Sequence, residues 1–98
     1  MSHRLVYRPD ALEEIASAAG SYEERAPGLG AEFIRALDVV LDRIKRDPLH
    51  HPVVHGQLRR ALLKRFPYSV IFSELVETVV IVGCVHWREK PTRWRDRR

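Results

Sequence analysis

The chain has 98 residues, 45% of them apolar and 31% charged, with a formal net charge of +4. That length builds one hydrophobic core and is too short for two domains, and the balance is that of an ordinary soluble globular protein. The longest apolar run, "TVVIVGCV", is far short of a membrane span and suits a buried strand. The opening "MSHRLVYRPD" lacks the apolar stretch of a signal peptide, so a cytoplasmic location is expected. A lone cysteine, Cys84, excludes an internal disulfide and reads as a small buried hydrophobe in a reducing compartment.

In chain order, "RLVYR" is a short β-prone run ended by Pro9. "PDALEEIASAAGSYEER" then reads as a helix, with Asp10 as its cap and Glu13 three residues on completing a capping box. Leu12, Ile15, Ala19 and Tyr22 fall on one face at helical spacing, and Gly20 either weakens the middle or permits close packing. "APGLG" breaks the chain before a second helix, "AEFIRALDVVLDRIKRD". Phe33, Leu37, Val40, Leu41 and Ile44 form its apolar stripe, Lys45 and Arg46 suit its C-terminal dipole, and Pro48 stops it. The short connection predicts a helical hairpin.

After the loop "PLHHPVVHGQ" come three β-prone runs, "LRRALLKRF", "YSVIFSE" and "TVVIVGCVHW", joined by connections short enough for antiparallel hairpins. The predicted order is β-α-α-β-β-β, a single α+β domain over residues 1–98 with the helical hairpin on one face of a mainly antiparallel sheet. The second face of such a sheet must meet water or a partner. Alternation over 58–66 sets Leu58, Arg60, Leu62, Lys64 and Phe66 against Arg59, Ala61, Leu63 and Arg65, and neither set is cleanly polar.

Charge is unevenly placed. The tail 86–98 holds six Lys/Arg against Glu89 and Asp96, and 48–73 holds Arg59, Arg60, Lys64 and Arg65 with no acid. Two basic segments facing an otherwise mildly acidic chain point to an acidic or polyanionic partner. Arginine binds carboxylates and phosphates bidentately, and lysine adds a point charge. In the tail, Trp87 and Trp94 are placed either to stack on bases beside Arg88, Arg93 and Arg95 or to anchor an interface. "KPTRW" reads as a turn that returns Trp94 to the body of the domain. The cluster His50, His51 and His55 invites a metal reading, but Pro52 and the β-branched residues disfavour a helix there, and no acid or cysteine joins it. No metal and no cofactor is expected.

The β-α-α-β-β-β order, "RRALLKRFPYSVIF" and the terminal "VHWREKPTRWRDR" together resemble the RelE/ParE family of toxins from bacterial type II toxin–antitoxin systems, closer to the ParE branch. The resemblance covers nearly the whole chain and implies a small cytoplasmic toxin, growth-inhibitory when free. It also implies a cognate antitoxin encoded nearby that forms a hetero-oligomer with the toxin and wraps it with a segment ordered on binding. The ParE branch implies inhibition of DNA gyrase by contact, without chemistry. The RelE branch implies ribosome-dependent mRNA cleavage, with His86 transferring a proton and Lys64, Arg65 and Arg88 stabilising the phosphate. No tyrosine follows Tyr68, so a C-terminal catalytic tyrosine of the RelE kind is missing. An inactive module that only binds antitoxin is the third implication.

Overall fold

Pro9 supplies a helix-ready φ at the first position of α1 (Pro9–Arg25), immediately after strand β1 (Arg4–Tyr7). The N-cap is therefore Arg8 with no side-chain cap, and Asp10, expected as the cap, lies inside the first turn. The proline displaces the predicted box by setting the helix start before the aspartate. These elements belong to a computed structural model that describes residues 3–97. Met1, Ser2 and Arg98, the last residue of the basic tail, lie outside that range.

The face that α1 buries also differs from the expected one. Ala11 and Ala18 are fully covered and Ile15, Ala19 and Tyr22 partly so, while Leu12 is 53% exposed. Small alanines bring the helix close to the sheet, which turns the larger Leu12 outward. Helix α2 (Leu29–Arg46) begins two residues ahead of the predicted start and buries Phe33, Leu37, Val40, Leu41 and Ile44 as its periodicity requires. Its N-terminus is capped from α1: the Glu23 carboxylate accepts from the Gly28 amide at 3.0 Å and from the Gly30 amide at 3.0 Å. Gly30 is the close-packing glycine, since a Cβ there would lie 2.7 Å from the Ala19 carbonyl oxygen. Gly20 has nothing within 4 Å of that position.

The loop after α2 contains a 3₁₀ turn (Pro48–His50) and a short strand β2 (Val53–His55) that alternation did not reveal. Strands β3 (Leu58–Leu62), β4 (Tyr68–Leu75) and β5 (Thr78–His86) follow. The sheet has five strands in the order β1-β5-β4-β3-β2, antiparallel except for β1 against β5. The expected strand 58–66 stops at Leu62, and Arg65 adopts φ +72° within the turn that follows. That left-handed residue breaks the alternation, so Leu63 and Phe66 both enter the core.

Two apolar clusters result. The helix face carries Phe33, Ile44, Ala61, Phe66, Val70, Phe72, Val79, Ile81 and Cys84, with Tyr22 and Tyr68 packed against them. Its aromatic rings meet edge-to-face or stacked, Tyr22 to Phe66 at 4.9 Å and Phe33 to Tyr68 at 5.2 Å. The opposite face carries a smaller cluster of Leu58, Ile71, Val82, Val85 and Trp94. A register shift between Ile71 and Phe72 inserts one extra β5 residue, which is why Cys84 and Val85 fall out of phase with Val80 and Val82.

Candidate partner-binding surface

Pairing decides which basic side chains can reach a partner. Arg59 sits opposite Phe72, so it belongs to the helix face, and Arg60 sits opposite Ile71 on the other. The Arg59 guanidinium donates to the carbonyls of His51 at 2.6 Å and Leu49 at 3.4 Å. It pins the loop before β2, while Arg60 is exposed. His51 is part of the same support, its ring 5.7 Å from Phe72 and partly buried, which pushes its pKa down. Lys64 and Arg65 lie in the turn beyond β3, where Arg65 reaches Glu32 of α2 at 3.3 Å. The basic strand thus divides among three places.

The tail is anchored at two points. A 3₁₀ turn (Pro91–Arg93) directs Trp94 onto Leu58, Ile71, Val82 and Val85, leaving it 4% exposed. Three residues on, Arg97 forms a bidentate pair with Glu14 of α1, both contacts at 3.0 Å, and reaches Asp10 at 3.3 Å. Hydrogen bonding to Glu14 raises the Arg97 pKa above its ordinary value. Arg93 lies 3.8 Å from Glu14 and 3.7 Å from Glu89. Trp87 remains 55% exposed, with its amide donating to the Pro67 carbonyl at 2.8 Å. Arg88 and Arg95 are exposed as well.

Between the end of the tail and the β2–β3 hairpin lies a groove of about 960 Å³. Leu58, Leu75 and Val80 supply its apolar wall, and among the charged residues that line it Arg8, Arg95 and Arg97 outnumber the one acid, Asp96. This is the part of the second face that Trp94 does not cover.

The residues named for phosphate chemistry are not gathered at one point. His86 and Arg65 line a cleft of about 410 Å³ with Tyr22, Arg25 and Tyr68, and no acid lines it. Lys64 lines a different depression, beside Ala36, Val39 and Val40 of α2. Arg88 meets His86 through its backbone, its amide donating to Nδ1 at 3.0 Å. That bond occupies the Nδ1 lone pair, so the hydrogen of a neutral ring sits on Nε2. The ring packs edge-on against Tyr68 at 5.3 Å. Burial, then Tyr22, pushes the Tyr68 pKa up, which keeps its hydroxyl a donor. Glu14, Glu23 and Arg97 carry positions that sequence reasoning missed. The tail offers six basic residues in a row of similar composition, and nothing local marks which one meets α1.

The course of the chain matches a known protein. Over 87% of this chain and 96% of the other, it superposes with a TM-score of 0.76 on a chain of the chromosomal ParDE toxin–antitoxin (TA) system from P. aeruginosa. The chain has a RelE/ParE-like fold. Identity over the match is 13%, so what the two share is the RelE/ParE-like path of the backbone, not the surface. No protein-family model matches the sequence, and no curated protein matches it. Among the described residues, no helix of this RelE/ParE-like chain is long and apolar enough to cross a membrane.

Proposed function

We propose that the chain is the toxin component of a type II toxin–antitoxin system, neutralised by a cognate antitoxin and growth-inhibitory when free. The groove beside the tail carries this reading. An apolar wall of Leu58, Leu75 and Val80 with Arg8 and Arg95 at its rim suits an extended segment bearing apolar and acidic residues. Arg60 and Trp87, both exposed, are the further contacts we assign to partners. Trp94 acts by holding the tail in place.

For the cellular target we propose DNA gyrase, inhibited by protein contact. The separation of Lys64 from the cleft of His86, the contact of Arg88 with His86 through its backbone only, and the engaged Nδ1 of His86 support inhibition without chemistry. Purified protein is expected to block gyrase supercoiling and to stabilise cleaved DNA while leaving mRNA intact in a translation assay. Codon-biased mRNA cuts with normal supercoiling would instead establish the ribosome-dependent nuclease. That second reading rests on the acid-free cleft shared by His86, Arg65 and Tyr68. It predicts that His86→Ala lowers cleavage by roughly 10²–10⁴-fold, whereas a gyrase inhibitor is unaffected by that change. Unimpaired growth on induction without antitoxin would leave an inactive antitoxin-binding module.

A further inference from the structure

Tyr68 and His86 line two clefts of opposite charge. One, of about 320 Å³, adds Glu13, Glu14 and Glu89 with a single base, Arg93. The other, of about 410 Å³, adds Arg25 and Arg65 and no acid. An anion is repelled by the first and drawn to the second. The two guanidiniums reach the second cleft from different elements. Arg25 ends α1 and lies 5.3 Å from the centroid of the Tyr22 ring. Arg65, in the turn after β3, lies 5.9 Å from the centroid of Phe66. Tyr22 and Phe66 meet edge-on at 4.9 Å, so one aromatic pair carries both cations. Glu32 takes the Arg65 Nη2 at 3.3 Å but does not line this cleft, and it leaves the other N–H donors of that fork unused.

The backbone of Arg65 is a second, separate sign. Its φ of +72° is a conformation that glycine or asparagine adopts at lower cost. Strain of this kind is retained where the side chain serves a ligand site. We propose that the cleft binds a small dianionic phosphate, gripped by Arg25 and Arg65 and not cleaved. One guanidinium fork satisfies a planar carboxylate, whereas two forks from separate elements, with the Ser21 hydroxyl beside them, suit the three terminal oxygens and double charge of a phosphate. The volume is that of a small-molecule site, which leaves room beside Pro67 and Tyr68 for an organic group of nucleoside size. Cleavage would need a proton acceptor, and the lining supplies none. No acid lines the cleft, burial raises the Tyr68 pKa and keeps its hydroxyl a donor, and His86 Nδ1 already accepts from the Arg88 amide. The cleft shares no lining residue with the groove proposed for an antitoxin, so this site stands without the toxin reading.

The test is an amide NMR titration of the full chain with inorganic phosphate, adenosine 5′-monophosphate and adenosine at fixed ionic strength. Both phosphates are expected to give saturable shifts confined to the amides of Ser21 to Arg25 and of Arg65, Phe66 and Tyr68, and adenosine none. Tighter binding of the monophosphate assigns the site to a nucleoside phosphate, and equal binding assigns it to free phosphate. Arg65→Gly should weaken both by roughly 10-fold or more without loss of thermal stability, because glycine relieves the left-handed backbone. Arg25→Gln should weaken both as well. Lys45→Gln, which removes an exposed charge in the last turn of α2, should change nothing. Unchanged affinity in folded Arg65→Gly, or shifts spread over the tail arginines, overturns the proposal. Saturable binding of a single-stranded oligonucleotide but of neither small phosphate also overturns it, and gives the cleft to the nuclease reading instead.

Discussion

The two faces of the sheet are closed by different means. On one, two helices of 17 and 18 residues cover a continuous cluster from Ala11 to Cys84. On the other, one indole covers a patch of four buried residues, Leu58, Ile71, Val82 and Val85, and the segment that delivers it is held by the Glu14–Arg97 ion pair 3 residues further on. The first face is held by many contacts that share the load. The second is held by the single indole and the Glu14–Arg97 pair. The groove proposed for an antitoxin segment adjoins that second face.

Four measurements sharpen the contrast. The largest effect belongs to Phe72→Ala, deep in the helix-face cluster and 0% exposed. It should cost about 3–5 kcal/mol in denaturant unfolding, enough to unfold a domain of marginal stability. A loss below about 1 kcal/mol would mean that the helix face is not the main core.

The same face has a signature in pH. Burial pushes the Cys84 thiol up to about 12 from an ordinary 9.0. The folded state therefore holds a proton that the unfolded chain releases first. The stabilisation is fully present below about pH 9 and fades as pH rises toward about 12. The slope is at most ~1.4 kcal/mol per pH unit. Unfolding midpoints of the parent should fall more steeply over that interval than those of Cys84→Ala, and parallel curves would remove the thiol from the account.

On the second face, Trp94→Ala should cost about 2 kcal/mol, in line with burial of one large side chain against a thin cluster. Its sharper consequence is local: trypsin should cut after Arg93 and Arg95 while the rest of the domain remains intact. Unchanged proteolysis and unchanged antitoxin affinity together would show that the indole does not hold the tail. The smallest effect is expected for Trp87→Ala, whose side chain is 55% exposed. Stability should move by no more than about 0.5 kcal/mol, while target or antitoxin binding weakens, and a large stability loss would place Trp87 in the fold.

How much of this was readable depends on how far apart the cooperating residues lie. The α2 stripe from Phe33 to Ile44 was legible because one element carries the whole signal at a 3.6-residue period. Leu12 misled because period alone does not say whether alanine or leucine faces a close neighbour. Strand β2 escaped notice since three residues between Pro52 and Gly56 show no alternation worth reading. At the site, the accumulation of Arg and Trp was plain, but not that Arg59 serves loop carbonyls or that His86 and Lys64 line separate depressions. Those facts arise from strand register and from one left-handed residue, Arg65, neither of which leaves a local trace.

Taken alone, the sequence determined the order of every helix and strand except β2, the identity of the helix-face core in α2, and the concentration of positive charge and indole at one end. Each of these follows from residues close together in the chain. Tertiary structure decided which of the basic side chains are exposed, which tryptophan is buried, and which tail arginine meets α1. The Glu14–Arg97 contact joins residues separated by 83 positions, and only the packing of α1 against β5 brings them within hydrogen-bonding distance.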